Sequence, residues 1–67
     1  MMTTAEKDWF LSLPAETKLK LLEDMLKEEQ FGLAFQTMHI LLEAPISKGG
    51  ISTEKIDKVF KNYKNEK

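Results

Sequence analysis

The stretch FGLAFQTMHILLEAP, residues 31–45, is apolar almost all the way round a helix. At about 100° per residue, Gly32, Gln36, His39 and Glu43 fall on one narrow polar strip. Phe31, Phe35, Met38 and Leu42 make one apolar face, at i, i+4, i+7 and i+11. Leu33 and Ile40 point nearly opposite, with Ala34 and Leu41 between. A helix apolar on most sides is normally buried on most sides. The pattern therefore predicts a helix over about residues 31–44 that is either the centre of an all-α fold or part of an interface. Pro45 ends it, because the residue before a proline avoids helical angles.

The chain around this segment has 67 residues, little interior in which to bury such a helix. A domain of this size buries roughly 60% of the surface its unfolded chain exposes, and small domains often rely on a disulfide, a metal or oligomerisation. There is no cysteine and one histidine, which removes disulfides, thiolate metal sites and a histidine zinc site within one chain. Oligomerisation or a partner is the support left open, beside an unusually well-packed small bundle. No metal, cofactor or small-molecule substrate is expected. Apolar content of 42% with 31% charged residues is ordinary for a globular chain. No apolar run approaches the ~20 residues that span a membrane. The start, MMTTAEKDWF, lacks the basic and apolar regions of a signal peptide. The expectation is a cytoplasmic protein with no membrane partner.

Outward from the central segment, three further helices follow from spacing, at about residues 5–13, 15–28 and 53–64, with residues 65–67 frayed. In the first, Thr3 and Glu6 form a capping box. Ala5, Trp9 and Leu13 share a face that makes Trp9 the better core candidate, and Phe10 beside it either joins the core as well or serves as an anchor for a partner. In the second, which Pro14 opens with Ser12 or Leu13 as its cap, Leu19, Leu22 and Leu26 form the apolar stripe, flanked by Leu21 and Met25. Projected as one helix, that stripe changes sides after Gln30, so a turn is expected near residues 29–31. The glycines of ISKGG suit a tight loop. Ser52 caps the last helix, with Ile51 and Ile56 as a hydrophobic staple.

Charge is unevenly spread. Residues 1–47 hold four lysines against eight acids, and residues 48–67 hold six lysines against three. Every basic residue is lysine, and without arginine the bidentate reading of guanine or phosphate is missing. A lysine-only chain fits an AT-rich genome, such as that of a low-GC bacterium or its phage. His39 lacks a patterned nucleophile or a second histidine, and reads as a surface or interface residue. The acid pairs Glu23–Asp24 and Glu28–Glu29 splay apart on a helix, and SKGG lacks the order of a phosphate loop. No enzyme is expected.

Two short resemblances complete the reading. The segment GGISTEKIDKVFKNY resembles the second half of a helix-turn-helix. That resemblance implies a helix in the major groove of DNA, with Lys48, Lys55, Lys58 and Lys61 as candidate phosphate contacts. The chain departs from that pattern at Pro45, which adds loop residues where a short turn belongs, and the alanine-to-glycine spacing from Ala44 to Gly49 is one residue off. Leu13, Pro14 and Glu16, with Leu22 and Leu26 beyond them, resemble the step that opens the adaptor-binding helix of the F-box. Neither resemblance places the chain in a family.

The sequence thus predicts a single-domain, all-α compact bundle of three to four short helices, with a largely buried third helix and an oligomeric state. The expected function is a non-enzymatic protein-interaction module: a small regulator, adaptor or inhibitor, with a phage or mobile element as its source. Its interface would draw on Phe10, Phe31, Leu33, Phe35, Met38, Ile40 and Leu42, toward a partner protein or a second copy in a homodimer. The alternative is a small dimeric helix-turn-helix-like DNA-binding transcriptional regulator that uses the lysine-rich last helix.

Overall fold

Capping and turn chemistry set the order of elements in the structure, a computed structural model that describes residues 3–65. The elements are α1 (Thr4–Ser12), α2 (Ala15–Lys27), α3 (Phe31–Glu43), a 3-10 turn (Ile46–Lys48) and α4 (Thr53–Asn65). No strand occurs among the described residues. Asn65 still belongs to α4, while the last two residues, for which fraying is expected, lie outside the described residues.

Each terminus has an identifiable cause. The Thr3 hydroxyl accepts from the Glu6 amide at 3.2 Å, and the Thr3 amide donates to Glu6 Oε1 at 3.2 Å, which is the expected capping box. At the other end of α1 the freed carbonyls find three different donors. Ser12 Oγ donates to Trp9 at 2.6 Å, the Leu13 amide to Phe10 at 3.1 Å, and Lys18 Nζ to Leu11 at 3.0 Å. Pro14 itself takes the N-cap position of α2, where the sequence reading has Ser12 or Leu13. Its carbonyl accepts from the Lys18 amide at 3.1 Å.

Between α2 and α3 the chain turns where the apolar stripe changes sides. The Gln30 amide donates to Met25 at 2.9 Å and the Glu29 amide to Leu26 at 3.1 Å. This is the Schellman pair of bonds, and it holds Glu29 in the left-handed region at φ 61°. A second left-handed residue, Gly49 at φ 100°, closes the 3-10 turn. There a Cβ would collide with the Leu11 carbonyl, and one on Gly50 with the carbonyl of Ala44.

The core consists of Phe10, Leu22, Leu26, Ala34, Leu41, Ile51, Ile56 and Val59. The central helix is α2, which packs against both α3 and α4. This corrects the expectation of a largely buried third helix. Only Ala34, Thr37 and Leu41 of α3 are buried. They recur at i, i+3 and i+7, and two of them are small. A helix that turns small residues such as Ala34 and Thr37 inward can sit close to its neighbour, and its large side chains are then carried on the shoulders. The chain's radius of gyration, 11.3 Å, matches the ~11 Å of a compact domain of this length.

A second correction concerns α1. Phe10 is in the core at 2% exposure, whereas Trp9 stands 63% exposed. The stripe that packs is Phe10 with Leu11 and Leu13, both of which are partly buried against the core. The extended Leu13–Pro14 link carries the chain from α1 into α2. Phe10 is therefore a core residue in the isolated chain, not an accessible anchor.

Candidate protein-docking surface

The large apolar residues that α3 keeps out of the core are Phe31, Leu33, Phe35 and Leu42, exposed at 41%, 39%, 53% and 41%. They lie on two sides of the helix. Phe31, Phe35 and Leu42, with the half-buried Met38, form one stripe within about 60° of helix face at 100° per residue. Leu33 and the half-buried Ile40 lie across the helix from it. Between the two runs the exposed polar ridge of Gly32, Gln36, His39 and Glu43. His39 Nε2 and Glu43 Oε1 are 2.9 Å apart on that ridge.

The Phe31 end of the stripe is braced from within the chain. Its ring meets that of Tyr63 on α4 edge to face, with centroids 6.4 Å apart and an interplanar angle of 70°. Such pairs are worth about 0.5–1.5 kcal/mol beyond simple burial. At the other end, the Ile51 amide donates to the Leu41 carbonyl at 3.0 Å, fixing the start of α4 against the end of α3. The start of α3 thus lies near the end of α4, and its end near the start of α4, while each helix packs chiefly on α2.

On the opposite side, Ile40 joins Lys7, Leu11, Glu43 and Ala44 around an open cleft of about 190 Å³. A larger trough of about 430 Å³ continues from it between α1 and the segment that follows α3, reaching Asp8, Pro45 and Lys48. Both are open to solvent and carry mixed charge. No grouping of three or more His, Cys, Asp or Glu side chains suited to a metal occurs among the described residues.

Lys48, Lys55, Lys58 and Lys61 are all exposed, and the last three lie along α4. Residues 44–52 connect α3 to α4 and include the 3-10 turn. That connection is longer than the 3–4 residues of a helix-turn-helix. No helix among the described residues is long and apolar enough to cross a membrane.

Sequence reasoning passes over Ile46 and Lys18, and it places Trp9 in the core. Among the described residues, Trp9 and Ile46 are the two most exposed large apolar side chains, at 63% and 72%. Nothing in the spacing marks Ile46, a single apolar residue in a loop. Lys18 is buried, with its ammonium on the carbonyls of Leu11 and Gly49. A signal exists for it: Lys18 stands one turn before Leu22 and two before Leu26, on the stripe that packs.

Comparison with known proteins gives no match to a family model, to a curated protein or to a solved structure.

Proposed function

We propose that the chain is a non-enzymatic protein-interaction module, a small regulator, adaptor or inhibitor, that docks through the exposed apolar shoulder of α3. The observation that carries this reading is the stripe of Phe31, Phe35 and Leu42, left open along one side of a helix that buries only Ala34, Thr37 and Leu41. Half of a phenylalanine side chain is on the order of 100 Å². Covering it contributes about 2–3 kcal/mol at ~25 cal/mol per Å². Two such rings on a pre-formed helix are the kind of anchors that dominate interface energies.

The test is a photo-cross-linking phenylalanine analogue at Phe35, used in cells that make the protein. The reading expects a discrete protein adduct. Its binding, reconstituted from purified components, weakens at least ~30-fold in Phe35→Glu and little in Lys58→Glu. Absence of any protein adduct, the chain's own copy included, removes the reading. Salt-dependent DNA binding abolished by Lys55→Glu or Lys58→Glu would favour the helix-turn-helix-like alternative instead.

A further inference from the structure

We infer that Met38 is an oxidation site whose sulfoxide switches the α3 docking surface off. The inference rests on the docking reading above and adds its regulation. The chain has no cysteine, so its sulfur is all methionine thioether. Met25 and Met38 are the methionines among the described residues, and both are half-buried with one side packed against the core. Their surroundings differ.

Met25 lies on α2 where it meets α3, and its sulfur accepts the Thr37 hydroxyl at 3.4 Å. Thr37 has no exposed surface, so this donor is held from inside the fold. The bond engages one of the two lone pairs of the thioether, a weak acceptor, and draws electron density from the other. Met25 is thereby made a poorer nucleophile. Met38 stands on the stripe itself, and no hydrogen bond to its sulfur occurs among the described residues. Phe35 and Leu42, about one turn away on either side, are 53% and 41% exposed. The unbranched, flexible side chain of methionine can turn its sulfur to solvent between them.

A peroxide supplies the oxygen. The sulfur lone pair attacks one peroxide oxygen, the O–O bond breaks, and with hydrogen peroxide the other oxygen leaves as water carrying both hydrogens. Sulfur loses two electrons to become the sulfoxide, and the peroxide gains them. The product places a polar acceptor in the middle of the stripe. A partner that covers Phe35 and Leu42 must bury the sulfoxide with them, and burying an unpaired polar group opposes docking. The partner in turn shields Met38, so docking and oxidation exclude one another. Methionine sulfoxide reductases restore the thioether, which makes the switch reversible.

Purified full-length protein treated with hydrogen peroxide gives the first test, with the sulfoxide at positions 25 and 38 followed by peptide mass spectrometry. Met38 is expected to oxidise at least ~5-fold faster than Met25, since susceptibility follows nucleophilicity and exposure. Thr37→Val keeps the shape and removes the donor; it is expected to speed oxidation of Met25 and leave the rate at Met38 unchanged. Circular dichroism is expected to show the oxidised chain still helical. The photo-cross-linking analogue at Phe35 then reads docking to the purified partner. Adduct yield is expected to fall ~10-fold or more in step with Met38 sulfoxide, as a buried unpaired polar group demands, and to return after reductase treatment. Met25→Leu should respond to peroxide in the same way, whereas in Met38→Leu the yield, whatever its level, should no longer respond.

Oxidation of Met25 as fast as that of Met38, a Met25 rate that Thr37→Val leaves unchanged, or loss of helix in step with Met38 sulfoxide would overturn the inference. An adduct from the reduced chain that survives full oxidation of Met38 removes the switch alone. If the reduced chain gives no adduct, the docking reading falls and the switch falls with it.

Discussion

Lys18 Nζ lies 2.5 Å from the carbonyl oxygen of Gly49, joining the second turn of α2 to the loop that leads into α4. The same ammonium caps the Leu11 carbonyl at 3.0 Å. α1 has no basic residue in its own last turn, so the charge that complements its C-terminal dipole arrives from the next helix. One buried side chain thus holds together three segments that share few other contacts.

Replacing Lys18 by methionine keeps much of the volume and deletes the donor. Two carbonyls of half-buried residues then lose their charged donor. The expected loss is about 2–4 kcal/mol, from the desolvation cost of unsatisfied groups. Urea unfolding followed by circular dichroism measures it. An unchanged midpoint would mean that water replaces the ammonium at no cost.

Two left-handed residues respond in opposite ways to substitution. Glu29 holds φ 61° with a side chain that the turn does not need. Its replacement by glycine removes a steric cost of roughly 1–2 kcal/mol, part of which returns as lost chain entropy. Glu29→Gly should therefore raise stability by about 0.5–1 kcal/mol. Gly49→Ala should do the reverse and cost several times as much, because its Cβ collides with the Leu11 carbonyl that Lys18 caps. Paired thermal melts of the two variants decide the matter, and a shift of the same sign in both would contradict it.

The helices and their breaks were legible because local chemistry sets them: the Thr3–Glu6 box, Pro14, the phase change before Phe31, Pro45 and the double glycine. The ranking of faces was not. A single sequence shows that α3 has two apolar sides, but which side goes inward depends on how closely two helices can approach. Ala34 and Thr37 won that competition by being small, against Phe31 and Phe35, which are merely more apolar. The stripe proposed for docking was legible as a stripe; its exposure was not. Lys18 was hidden for the opposite reason, since a lysine on an apolar stripe is ordinarily read as a solvated residue at its edge.

The reversed roles of the two aromatic neighbours in α1 give a direct check. Phe10 fills the core and Trp9 is largely open. Phe10→Ala should cost about 3–5 kcal/mol, enough to unfold a domain of this size. Trp9→Ala should stay within about 0.5–1 kcal/mol. Tryptophan fluorescence adds an independent reading: the emission of Trp9 should already be that of a water-exposed indole in the folded protein and shift little on unfolding. A blue-shifted native emission would place Trp9 in the core and overturn the assignment.

The capping box of α1 predicts a pH dependence with a definite sign. The backbone amide of Thr3, and then its hydroxyl, hold the Glu6 carboxyl below the ordinary glutamate value. A carboxylate whose pKa is lower in the folded state contributes stability that is fully present above its unfolded pKa and is lost as pH falls through the folded value. Helix α1 should therefore loosen at its N-terminus under acid conditions, with no corresponding change from neutral to alkaline pH. Carboxyl chemical shifts recorded across an acid titration should show Glu6 titrating below an unperturbed glutamate. In Thr3→Ala the hydroxyl is lost and the first turn is weakened by about 1 kcal/mol, so the Glu6 value should move upward toward the ordinary one. A Glu6 that titrates normally in the wild type would show that the box is not formed in solution.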